Sequence, residues 1–172
     1  MRTIRPVNAK QLQNAPDKFT KEFTTLSPFS GQVIPISQVD EPFFKKGYMG
    51  PGAAVTSTSN TVVSPFDGKV LSVAPLDYAV DIQSKAGLKC RVKYGGDTSH
   101  LHGAQFGGSL TPGDAISTKQ PLFTVNSAWL KQRGVSNICV LTVLNSQALL
   151  GVLPTHQRFL EAGTDVLFTL YL

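Results

Sequence analysis

Three cations alternate along one short stretch of this chain. In LKCRVKYGGDT, residues 88–98, Lys89, Arg91 and Lys93 fall on one face, and Leu88, Cys90, Val92 and Tyr94 on the other. A period of two is that of a half-buried strand, which predicts the apolar set inward and the basic set toward solvent. Such a row suits an electrostatic contact with an acidic protein or a phosphorylated ligand. It suits group transfer poorly, because a lysine of ordinary pKa, roughly 10.4, is protonated near neutrality. Lys89 and Arg91 depress that value too little on an exposed face. Asp97, in the turn that follows, is placed to pair Lys93 or to cap the turn. In SHLHG, His100 and His102 stand two apart, on one face if the segment is extended, a spacing that can hold zinc. Catalytic zinc takes three protein ligands and structural zinc four, and the remaining histidine, His156, lies far off in LPTHQ. The pair reads as two surface histidines. A zinc-dependent hydrolase is the alternative, and no cofactor is expected. Cys90 and Cys139 sit in strand-like contexts and read as buried thiols.

Many short strands must position these residues. With 15 Gly and 11 Pro scattered between apolar runs, the pattern is that of an all-β protein with frequent turns. Strands are predicted over 32–37, twice within 53–75, over 79–94 as a hairpin turning at SKAG, as a pair within 114–125, and over 137–144 and 165–172. Residues 126–134 read as the best short helix, capped by Asn126 or Ser127 and stopped at Gly134. The loop QVDEPFFKKGYMGPG, 38–52, carries Phe43, Phe44, Tyr48 and Met49. Core packing is expected of at least one of these side chains, while aromatics grouped on a loop are favoured interface anchors; Gly50 and Gly52 serve turn geometry.

The net charge of +5 is uneven, since residues 1–25 carry five basic and two acidic side chains. They read as a basic, flexible tail, and residues 26–172 as a single domain. Aromatic–basic interleaving of the kind used to bind single strands is missing, so nucleic acid is not an expected partner. The tail falls short of the clusters of roughly four to eight basic residues that bind anionic lipid, so any membrane contact is expected to be weak. No apolar run approaches the roughly 20 residues of a transmembrane helix. The start, MRTIRPVNAK, lacks the apolar stretch of a signal peptide, and a cytoplasmic protein is expected.

Five blocks in order, SPFSGQVIPIS, MGPGAAV, SNTVVSPFDGKV, YGGDT and the ending GVLPTHQRFLEAGTDVLFTL, resemble the glucose-type enzyme IIA of the bacterial phosphoenolpyruvate-dependent sugar phosphotransferase system. SPFDGKV alone is weakly specific, because biotinyl-type domains share such a turn. The resemblance runs from about Leu26 to the end. It implies an antiparallel β-sandwich of the glucose-permease hybrid type, with a shallow apolar depression where protein partners dock. The loop bearing Phe43 and Phe44 is implied to form its rim.

In that family a histidine before a hydrophobic residue, Gly, any residue and Asp-Thr accepts phosphate, and a second, in an Asn-His-Ala segment, supports it. The matching stretches here are RVKYGGDT and LDYAVDI. The resemblance therefore puts Lys93 at the acceptor's position and Tyr78 at the supporting one. Imidazole is nucleophilic near neutrality and releases phosphate easily, whereas lysine is protonated and a phenol offers no base. The expectation is a degenerate relative acting as a regulatory protein-binding module. Its partner surface would comprise Phe43, Phe44, Tyr48, Met49, Lys89, Arg91, Lys93 and Asp97. The alternative is a working phosphocarrier with an unorthodox acceptor.

Overall fold

The structure, a computed structural model, describes residues 10–39, 43 and 50–172. Of the expected interface loop, Phe44, Tyr48 and Met49 lie outside the described residues. In chain order the strands are β1 (Glu22–Leu26), β2 (Gly31–Ile34), β3 (Gly52–Ser57), β4 (Thr61–Val63), β5 (Gly68–Ala74), β6 (Ala79–Ser84), β7 (Lys89–Tyr94), β8 (Ala115–Ile116), β9 (Pro121–Thr124), β10 (Ile138–Val143), β11 (Gly151–Pro154), β12 (Phe159–Leu160) and β13 (Val166–Tyr171). They form an eight-stranded sheet, β12-β2-β3-β10-β7-β6-β5-β8, a three-stranded sheet, β1-β13-β11, and a two-stranded one, β4-β9. Every pairing between these strands is antiparallel. The predicted antiparallel β-sandwich is the observed architecture.

Alternation decides which residues fill the core. Val55, Val80, Cys90, Val92, Cys139 and Leu141 turn inward from the large sheet and meet Val62 and Phe123 of the smallest sheet and Val152 and Phe168 of the third. The neighbours on the outer face, Ala54, Ala79 and Val140, form a second, smaller cluster with Val39 and Phe43. Both faces of β3 and β10 are thus covered, which explains their nearly continuous apolar sequences, GAAVTS and ICVLTV.

Several local predictions hold and some shift. The 79–94 hairpin turns where expected, with the Leu88 amide donating to Ser84 Oγ at 3.0 Å. The helix, α1 (Ser127–Gln132), is capped by Asn126, whose side chain accepts from the Trp129 amide, and Gly134 follows at a φ of 79°. The run 53–75 holds three strands rather than two. The 114–125 strands do not pair with each other, because β8 joins β5 and β9 joins β4. The expected tail boundary falls inside β1, which pairs with β13 from Glu22 onward. Further upstream, the Leu12 amide donates to the Val152 carbonyl and the Val152 amide to that of Lys10. The sandwich therefore begins earlier than residue 26.

Candidate functional site

Strands β6 and β7 set Ala79 opposite Lys93, and the Tyr94 amide donates to the Tyr78 carbonyl at 3.0 Å. Two short 3-10 turns converge on this end of the sheet. Pro75–Asp77 leads into β6. Ser99–Leu101 follows β7, after Gly95 has taken a φ of 74° that a side chain would resist. The turns bring Leu76, Asp77, Tyr78 and Thr98 beside Lys93.

Lys93 is where the expected basic stripe fails. Its alternation is correct, for Cys90, Val92 and Tyr94 lie in the core, but Lys93 itself is only 1% exposed. The reason is the second cluster: Val39 and Phe43 lie over the outer face, and the Phe43 ring centroid is 6.0 Å from Lys93 Nζ. The amine donates to the Asp77 carbonyl at 2.5 Å and to Thr98 Oγ1 at 3.4 Å, and Thr98 in turn donates to the Leu76 carbonyl at 3.0 Å. Hydrogen bonding of this kind is what a buried polar group requires.

The stripe's other members also separate. Arg91 is half-buried and clasps its cross-strand neighbour Asp81, with Nε 3.0 Å from Oδ1 and Nη2 3.2 Å from Oδ2. Lys89 is exposed. A strand with three outward cations thus presents one exposed, one paired and one buried. The predicted recognition row is corrected accordingly. Phe43, placed on the partner surface, is corrected too: it is fully buried and is the core-packed aromatic expected of that loop.

Tyr78 is fully buried and takes a left-handed backbone, φ 48° and ψ 52°, an uncommon state for a bulky residue. This breaks the alternation and carries the ring into the main core, 5.7 Å from Phe106, while the hydroxyl donates to the Ala104 carbonyl. Burial pushes the phenol above its ordinary pKa, so it is a proton donor and not a base. Asp97 is exposed and caps the turn, accepting from the amide and hydroxyl of Ser99. Burial likewise raises the Cys90 and Cys139 thiols.

His100 and His102 are exposed in the turn after β7, and His102 has a φ of 53°. Among the described residues no three His, Cys, Asp or Glu side chains group as metal ligands.

Thr98 and Asp81 were not singled out in the sequence as site residues. The signal for Thr98 was its place in YGGDT. For Asp81 it was the hairpin register, which sets it opposite Arg91. Chemically the arrangement is a closed one. The amine lies under Phe43 and is held by the Asp77 carbonyl and Thr98.

The fold and this strand–turn arrangement meet comparison with known proteins. The family described as phosphoenolpyruvate-dependent sugar phosphotransferase system, EIIA 1, matches residues 23–149. The chain belongs to that family. Among its relatives is the PTS system glucose-specific EIIA component of Oceanobacillus iheyensis, 28% identical over 137 residues, covering 80% of this chain and 83% of the relative. Another is the glucose-specific EIICBA component of Staphylococcus carnosus, 34% identical over 119 residues. That match takes in 69% of this chain but only 18% of the longer protein. The solved structure of glucose permease IIA from Mycoplasma capricolum superposes with a TM-score of 0.69 at 24% identity, over 87% of this chain and 96% of that one. It shares the fold. Among the described residues no helix is long and apolar enough to cross a membrane.

Proposed function

We propose that this chain is a degenerate glucose-type EIIA, with Lys93 standing where the family's phosphoryl acceptor stands and Tyr78 where the supporting histidine stands. It acts as a regulatory protein-binding module of sugar uptake in the cytoplasm. The observation that carries this reading is the state of Lys93, buried under Phe43 with its amine engaged by Asp77 and Thr98. Transfer between two proteins needs an acceptor atom that a partner's phosphoryl group can reach in line. The enclosure of Tyr78 and its bond to Ala104 support the same reading, since its phenol is turned into the core and offers no base.

Docking remains possible without chemistry. Leu76, 55% exposed, stands on the turn above the site, and Lys89 supplies an exposed cation on the adjoining strand. An apolar contact with a basic flank fits an acidic or phosphorylated protein partner. Phe44, Tyr48 and Met49 belong to this proposed surface by their place in the loop. The basic N-terminal segment adds at most a weak, salt-sensitive attraction to anionic lipid.

The test is to incubate the chain with phosphoenolpyruvate and the general phosphotransfer proteins of the system, then measure intact mass under neutral conditions. No added phosphate is expected. One stable phosphate mapped within residues 88–98 would establish the alternative, a carrier with an unorthodox acceptor.

A further inference from the structure

The three-stranded sheet keeps one open edge. Its β11 side is covered by the chain itself, through the backbone bonds of Lys10 and Leu12 to Val152. Its β1 side is not. Lys21 and Leu172 exchange both backbone bonds, at 3.2 and 2.9 Å, so the alternation of an antiparallel ladder makes Phe23 and Leu170 the next bonded pair. Glu22 and Thr24 stand opposite Tyr171 and Thr169, and their N–H and C=O groups point away from the sheet. Among the described residues these groups meet no backbone partner outside it.

The other edges are managed differently. The large sheet ends in β12 and β8, of two residues each, and very short edge strands are one way proteins avoid pairing with other chains. β1 has five residues and no proline, and its ladder shifts only after Thr25. Glu22, Phe23 and Thr24 are all exposed. Phe23 shares a face with Leu170, yet is 48% exposed. Phe19, 44% exposed, meets Tyr171 edge to face, with ring centroids 4.8 Å apart. A row of unpaired backbone groups with half-exposed aromatics beside it is a template for another strand.

The strand that matches it is β1 of a second copy. Set the two antiparallel about a two-fold axis at Phe23. Glu22 of each copy then meets Thr24 of the other, outward groups against outward groups, and the two pairs exchange four backbone bonds. Phe23 faces its own counterpart as a non-bonded pair, the closer kind, with Cα atoms about 4.5 Å apart. Aromatic pairs at such positions are favourable. The opposing term is the two Glu22 carboxylates, which come diagonal across the axis, with Cα atoms roughly 7–8 Å apart. An axis at Thr24 would instead bond that residue to itself and set Glu22 against the shifted end of the strand.

We propose that two copies of this chain associate through β1, joining their three-stranded sheets into one of six strands. The contact lies on a sheet that carries neither Lys93 nor Tyr78, and it is independent of the function proposed above.

Sedimentation equilibrium of the full chain tests it. An interface of this small size predicts a weak dimer, with a dissociation constant between about 10 μM and 1 mM. Thr24→Pro removes an outward donor without touching the ladder to β13, the one strand setting in which proline is tolerated. Phe23→Thr removes the aromatic pair and keeps a β-branched residue. Each should weaken the dimer about tenfold or more, since every change occurs twice in a two-fold contact. Glu22→Gln should tighten it several-fold. Thermal unfolding of each variant separates a lost dimer from a lost fold. Cross-linking gives a second measurement, because cysteines facing each other at this spacing meet disulfide geometry and the native Cys90 and Cys139 are buried. Under mild oxidation Phe23→Cys should form a covalent dimer faster than Lys18→Cys, an exposed control. Three results would overturn the proposal: a monomer at every concentration up to about 1 mM, a dimer unmoved by Thr24→Pro and Phe23→Thr, or equal cross-linking of the two cysteine variants.

Discussion

A lysine fully enclosed in a β-sandwich is tolerated only because each of its parts has somewhere to go. Its stem packs on the sheet beneath Phe43, and its amine reaches the Asp77 carbonyl and Thr98. Removing the amine while keeping the bulk spares the packing and gives up its hydrogen bonds to the Asp77 carbonyl and Thr98, a net loss of about 1 kcal/mol. Lys93→Met is expected to change stability by less than about 1.5 kcal/mol. Lys93→Ala, which empties the space under Phe43, should cost about 3 kcal/mol. Urea denaturation of the two variants checks this, and equal losses would mean that the amine, not the volume, matters. Had Lys93 been a solvated surface group, neither change would exceed about 0.5 kcal/mol.

At the scale of elements, the hairpin β6–β7 carries a cross-strand ion pair. Arg91 and Asp81 are directly opposite in register, and their side chains retain 29% and 17% of their exposure. Partial burial and two-point contact place the pair above an ordinary surface salt bridge, so a double-mutant cycle with Arg91→Ala and Asp81→Ala should give a coupling of about 1 kcal/mol. A coupling near zero at low salt would show that the clasp carries no energetic weight. The same hairpin shows how far the sequence could be read. Alternation placed Cys90, Val92 and Tyr94 in the core correctly, because one strand's periodicity is a local property. What covers the opposite face is not local. Val39 and Phe43 come from a loop some fifty residues upstream, and nothing in KCRVKY announces them. A strand with charged outward positions reads as solvated until its covering layer is known. Strand β1 was missed for a related reason: EFTTL has little apolar content and is held mainly by its backbone pairing with β13. The helix was legible because its Asn126 cap and Gly134 stop are local chemistry.

Across the whole molecule, the chain's beginning and its core set two measurable properties. Gln11 forms a paired contact with Gly52, its amide donating to the Gly52 carbonyl and its carbonyl accepting from the Gly52 amide, each at 2.9 Å. Glycine is needed at that position, since a Cβ there would lie 2.1 Å from the Leu141 carbonyl oxygen. Gln11→Ala leaves both Gly52 groups without these bonds and should cost about 2 kcal/mol in urea denaturation. An unchanged midpoint would show that the upstream segment does not bear on stability. The core sets the response to alkali. Cys90 and Cys139 are both buried, and burial raises their pKa above the ordinary 9.0; Tyr94, raised by burial from 10.0, joins them. Unfolded, the thiols lose their protons near pH 9, while the folded chain must keep them. Stability is therefore fully present below pH 9 and declines as pH rises toward the folded-state values. The loss is about 1.4 kcal/mol per unit for each group that ionises in the unfolded chain alone. Denaturation midpoints at pH 7.5, 9 and 10 should fall across the last interval, and a Cys90→Val/Cys139→Val variant should show a shallower fall whatever its stability at pH 7.5. If the two chains decline in parallel, the thiols do not govern the alkaline limit, and the buried tyrosines are left as its source.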